Sequence, residues 1–192
     1  MPKAFRPLGL FQWRLTVAAS PFHTALLEFL GNWDVTQRIW LGPAAPQVHK
    51  GHCKCEPSLD GTATIMTTEV PASKNKGVSI ITYNSTASRY ELAWLDSSGG
   101  QGLCVMHGRP DGRPSRADIQ KEFGGSANQE REWYTVQTTS CIPEPIKSAV
   151  QEAGMRLVEN KISKDEWVLE FFVLHSGAPD QLVMQNIFTR AH

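Results

Sequence analysis

The chain has 192 residues, with 19 Lys plus Arg against 19 Asp plus Glu and a formal net charge of +0. That length suits one domain with its own core, and excludes a coiled coil, a zinc-finger-sized module and a multidomain enzyme. Balanced charge leaves no global basic field for nucleic acid, and no apolar run nears the roughly 18 residues that span a bilayer, so neither partner is expected.

Residues 1–19 carry Lys3, Arg6 and Arg14 before the first acid, Glu28. That basic, acid-poor start has the look of a transit segment, but Gln12 and Arg14 break any signal-peptide core. It reads as a tethered arm, residues 20–192 as one domain, and the cytoplasm as the compartment. Ser20-Pro21 then opens a short helix, as an N-cap followed by proline at the first helical position, with Phe22, Leu26, Leu27, Phe29 and Leu30 marking its apolar side up to Gly31. At Trp33 the period changes to two: Trp33, Val35 and Ile39 share a face with Gln37, and Asp34, Thr36 and Arg38 take the other.

Short alternating or apolar runs follow at 48–55, 62–70, 78–83, 89–96, 102–108, 116–123, 130–138, 155–163, 166–175 and 181–190. Turn residues between them, at Asn84-Ser85, Ser98-Gly99-Gly100, Asp111-Gly112 and Lys164-Asp165, predict hairpins and so antiparallel neighbours. The expected fold is all-β, an up-and-down barrel of about ten strands. Pro143-Glu144-Pro145, followed by Ile146, Ala149, Val150 and Ala153, predicts one inserted short helix ending at Gly154. Strand-helix-strand alternation, which a nucleotide-binding parallel sheet requires, does not occur.

Alternation also predicts which side chains face inward. Tyr90, Leu92, Trp94 and Asp96 form one row, Trp167, Leu169, Phe171, Val173 and His175 a second, and Leu182, Met184, Asn186, Phe188 and Arg190 a third. Polar groups therefore close otherwise apolar rows, the pattern of an apolar pocket with a few placed polar atoms. The candidate ligand-binding residues are Trp40, Tyr90, Leu92, Trp94, Phe171, Met184 and Asn186, and the expected ligand is a hydrophobic small molecule. The alternative is a cofactor-independent enzyme of the isomerase, cyclase or dehydratase type using that pocket. Asp96 with His107 or His175 would be its acid and base, with Tyr83 or Tyr90 as hydrogen-bond donor.

His49, His52, Cys53 and Cys55 have the composition of a metal site, but on a strand His52 points away from the other three and no second ligand pair follows. A lone His175 is likewise a slender basis for haem ligation, so neither metal nor cofactor is assigned. Four cysteines, Cys53, Cys55, Cys104 and Cys141, are too few for a disulfide scaffold and read as reduced thiols.

Leu30-Gly31-Asn32-Trp33-Asp34-Val35, then Thr82-Tyr83-Asn84, then Tyr90 to Ser97 with glycines following, appear in an order that resembles the bacterial domain-of-unknown-function family fifteen-seventy-nine. The likeness covers about residues 22–190. That family looks like a member of the calycin-type barrels, with lipocalins, fatty-acid-binding proteins and nitrobindins, and the resemblance implies a closed barrel with an internal cavity. It implies a framework at Trp33, Tyr83, Trp94 and Asp96, and a Trp33–Arg190 stack closing one end. Thr82 and Asn84 depart from the family's Gly and Asp, and 139–154 looks like an insertion. A homodimer is compatible with this architecture.

Overall fold

The structure, a computed structural model, describes residues 20–97, 103–108, 129–135, 154–174 and 179–192. One helix, α1 (Pro21–Leu27), precedes ten strands: β1 (Gly31–Ile39), β2 (Gln47–Ser58), β3 (Ala63–Val70), β4 (Asn75–Asn84), β5 (Arg89–Asp96), β6 (Cys104–Gly108), β7 (Gln129–Thr135), β8 (Gly154–Lys161), β9 (Glu166–Leu174) and β10 (Gln181–Arg190). Each strand pairs antiparallel with the next, and β10 returns to β1, so the sheet closes into an up-and-down barrel. Closure removes the exposed edges that an open sheet of this size would offer to other chains. The predicted arm 1–19, strand 116–123 and helix before Gly154 lie outside the described residues, as does the turn at Asp111-Gly112.

Period-two patterning puts Trp33, Val35 and Gln37 of β1 inside, facing Phe188 and Asn186 of β10 across the seam. The hairpin at Asn84 forms as predicted, with the Asn84 side-chain oxygen accepting from the Ala87 amide at 2.9 Å. Thr82, the other departure from the family pattern, donates from its hydroxyl to the Thr62 carbonyl at 2.7 Å. Asn84 thus serves its own turn, whereas Thr82 ties β4 to the residue that precedes β3.

The α1 helix closes one end of the barrel. Ser20 caps it as read from the sequence, its hydroxyl accepting from the His23 amide while the His23 ring accepts from the Ser20 amide. Leu26 and Phe29 then enter the core with Trp33 and Trp167. Trp167 stacks on Phe188 with centroids 3.7 Å apart, and Phe29 meets Trp167 edge-on at 5.1 Å. Trp33, 2% exposed, donates from its indole to the Phe29 carbonyl, and the Arg190 guanidinium lies 4.1 Å from the Trp33 ring centroid. The same guanidinium group bonds the Leu30 and Lys164 carbonyls and the Asp165 carboxylate. This end is therefore a plug of aromatic rings sealed by one cation.

Two details depart from simple alternation. A bulge between Leu182 and Met184 breaks the inward row of β10, so Leu182 is not its continuation. Gln185 and Glu170, which lie outside the inward rows, are nonetheless buried, and the Gln185 amide donates to Glu170 at 3.1 Å while accepting from Arg38. Val168, Phe172 and Ile187 are buried on that same outer side, so both faces of β9 and β10 are dry.

Candidate functional site

A cavity opens at the end opposite α1, with an empty volume of about 640 Å³ when the space at its mouth is counted. Among the described residues, side chains from eight of the ten strands reach it, because inward side chains of a barrel converge on one axis. Leu92 and Met106 come from β5 and β6, Leu157, Leu169 and Phe171 from β8 and β9, and Met184 and Phe188 from β10. Methionines 66, 106 and 184 give part of the wall flexible side chains that accommodate irregular shapes.

Trp94 and Asp96 form the rim. The Trp94 indole donates to the Asp96 carboxylate at 2.8 Å, two residues along the same face of β5. The ring lies over Gly77 of β4, where an added Cβ would come within 2.2 Å of it. A glycine here thus makes the slot in which the indole lies. Asn75, close by on β4, also lines the cavity.

Deeper polar groups come from β1, β3 and β10. Gln37 and Asn186 are direct cross-strand partners and are 2% and 7% exposed. Their side-chain oxygens have no hydrogen-bond partner, while the Gln37 amide nitrogen donates to the Met184 sulfur at 3.4 Å. Thr68 lines the same wall. An unpaired buried amide oxygen costs about 1–3 kcal/mol, and two of them belong to residues that line one cavity.

The predicted residues divide into groups. Leu92, Trp94, Asp96, Phe171, Met184 and Asn186 all line the cavity. Tyr83 and Tyr90 belong to the closed end: Tyr83 stacks on Phe22 at 4.3 Å, its carbonyl bonds His23, and the Tyr90 hydroxyl donates to the Phe22 carbonyl. Tyr90 shares the inward face of β5 with Leu92, and Tyr83 is its cross-strand partner on β4, so both are inside the barrel but at the end away from the cavity. His107 stands opposite Glu91 on the outer face of β6, one residue out of step with inward Met106. Trp40 follows β1 with its amide tied to the Val183 carbonyl, and is not among the lining residues. His175 lies outside the described residues. Asp96 is thus not brought together with Tyr83, Tyr90 or His107.

Gln37, Thr68, Asn75, Met66, Cys104, Met106, Leu157, Leu169 and Phe188 line the cavity without having been singled out as site residues. Gln37 had a legible signal, a polar residue in the apolar row of Trp33, Val35 and Ile39. Thr68 could have been found from the alternation of 62–70.

Cys53 and Cys55 share the inward face of β2 with sulfurs 3.8 Å apart, and with Cys104 they are buried free thiols. The Cys55 hydrogen bond holds the Cys53 thiol below its ordinary pKa, whereas that same bond together with burial pushes Cys55 up. Among the described residues no three His, Cys, Asp or Glu side chains are grouped to hold a metal. His52 projects from the outer face, as the strand geometry required.

Fold and site together define a closed antiparallel barrel with an apolar internal cavity carrying a few polar atoms. The chain belongs to the family described as protein of unknown function (DUF1579), whose model matches residues 18–190. Among solved structures it is similar to Rv2717c from M. tuberculosis, at 14% identity and a TM-score of 0.55, over 90% of this chain and 99% of that one. No curated protein matches it. Among the described residues no helix is long and apolar enough to cross a membrane.

Proposed function

We propose that this protein binds a hydrophobic small molecule inside the barrel. The observation that carries the reading is the cavity itself: one end sealed by α1 and the Trp33–Arg190 stack, the other leading to an apolar chamber with unpaired Gln37 and Asn186 oxygens. Its wall is predominantly apolar, and its few polar atoms would orient what enters. Unbridged Cys53 and Cys55 fit a reducing compartment, which favours the cytoplasm. The test is titration with a neutral solvatochromic dye such as Nile red. Saturable blue-shifted emission is expected, and Met106→Trp, which fills the chamber, should abolish it. An unsaturable signal, or one indifferent to Met106→Trp, refutes cavity binding.

A second observation supports pairing with a second copy of the chain. On the outer face of β4, β5 and β6, Val78, Ile80, Leu95 and Val105 are exposed, as is Leu103 immediately before β6. The register aligns Ile65, Ile80, Ala93 and Val105 across β3 to β6, with Val78 opposite Leu95 in the next row. These side chains offer roughly 400–500 Å² of apolar surface per copy, enough for the centre of a standard interface. The ion pairs Lys54–Glu56, Lys76–Glu69 and Arg89–Glu91 flank the rows with balanced charge, so two copies related by a two-fold axis meet without net repulsion. Light scattering should give a dimer mass that Ile80→Lys with Leu95→Lys halves. A native protein that is monomeric at high concentration overturns this pairing.

A further inference from the structure

We infer that the cavity selects amphiphiles whose polar head donates hydrogen bonds, an alcohol or a primary amine, over carboxylates. The inference rests on the cavity-binding reading and adds the chemistry of the head group.

Three buried polar atoms of lining residues are unpaired: the Gln37 and Asn186 amide oxygens, which only accept, and the Thr68 hydroxyl, which can donate or accept. Gln37 and Asn186 face each other across the β1–β10 seam, and the side-chain oxygen of each is buried without a donor. The amide orientation of Gln37 is set by its own neighbour, since its nitrogen donates to the Met184 sulfur and leaves the oxygen unpaired. Because the register makes the two residues partners, one head group carrying one or two N–H or O–H donors can reach both oxygens. Its apolar body would lie against Leu92, Met106, Leu169 and Phe188.

A carboxylate meets the opposite situation. The described lining holds no Lys, Arg or His, and its one carboxylate, Asp96, already receives the Trp94 indole. A bound anion would set its lone pairs against those of Gln37 and Asn186 and lose its hydration for the Thr68 hydroxyl alone, with no cation among the described lining residues. A neutral hydroxyl needs only to exchange its water contacts for the amide oxygens. An ammonium gains those contacts together with the favourable sign of the Asp96 charge at the rim. The chamber is therefore biased against fatty-acid-type ligands, although its wall is as apolar as such a ligand's tail.

The test compares octan-1-ol, octylamine and octanoate, which share one eight-carbon body, together with toluene, which has no head. Each is titrated calorimetrically into the full chain at neutral pH. The alcohol and the amine should bind at least about 10-fold more tightly than octanoate, the worth of one buried hydrogen bond. Gln37→Leu and Asn186→Leu should each remove most of that margin while toluene binds as well or better. Octanoate binding as tightly as octanol overturns the inference, and so does a margin unchanged in both leucine variants. Toluene binding with no head-group ranking would defeat this inference alone, whereas failure of all four ligands would defeat cavity binding itself. The ranking on the unaltered protein stands even if a leucine variant does not fold.

Discussion

Removing Trp33 tests whether the sealed end of the barrel is a principal source of stability. Trp33→Ala deletes a side chain that is 2% exposed, strips the Phe29 carbonyl of its indole donor and takes the ring from beneath Arg190. Large-to-small replacement of a buried aromatic costs about 3–5 kcal/mol, and for a chain of this size each kcal/mol lowers the melting temperature by about 2–4 °C. A drop of about 8–16 °C is therefore expected for a loss near the middle of that range. Arg190→Ala removes three hydrogen-bond anchors, to Leu30, Lys164 and Asp165, and should cost about 2–4 kcal/mol. If the stacked pair is energetically coupled, the double variant loses about 0.5–2 kcal/mol less than the sum of the single losses. Urea unfolding followed by far-ultraviolet circular dichroism gives all three values. A Trp33→Ala protein that melts within 3 °C of the parent, by the scale of about 2–4 °C per kcal/mol, or strict additivity in the cycle, refutes the reasoning.

Asp96→Asn keeps shape at the rim while removing charge, so we expect a melting temperature changed by less than about 3 °C and a loss of octylamine affinity with octanol affinity retained. A stability loss without a change in amine binding would make Asp96 a structural residue of the Trp94 contact. Gly77→Ala should cost about 1–3 kcal/mol and red-shift Trp94 fluorescence, because the new Cβ falls 2.2 Å from the indole and must drive it outward. Gly51→Ala is expected to be at least as damaging, since its Cβ would come within 2.2 Å of the Glu69 carbonyl oxygen, a backbone atom that cannot turn aside; soluble, natively melting protein would count against the packing described. Buried Cys53, Cys55 and Cys104 should resist an aromatic disulfide reagent until denaturant is added, and rapid reaction of all three in the folded protein would contradict their placement.

Period-two patterning, hairpin residues and the Ser20-Pro21 cap made the strand succession, its antiparallel pairing and the first helix readable from the residues alone, because each reflects a local rule of backbone geometry or side-chain alternation. The inward rows were legible for the same reason, and Leu92, Trp94, Asp96 and Asn186 could be placed in them directly. Alternation says only inside or outside, however. Height along the barrel axis comes from the register between strands, and register put Tyr83 and Tyr90 at the sealed end with Phe22, while Asp96 went to the open one. A residue's chemistry carries no mark of its face, and one step along β6 separates outward His107 from inward Met106. Burial of Glu170 and Gln185 on the outer side likewise depends on their cross-strand bond and on Arg38 from another strand, contacts between residues far apart in the chain. Closure of β1 against β10 decided the rest: it alone set Gln37 opposite Asn186, and two ordinary amides became a polar pair facing one cavity.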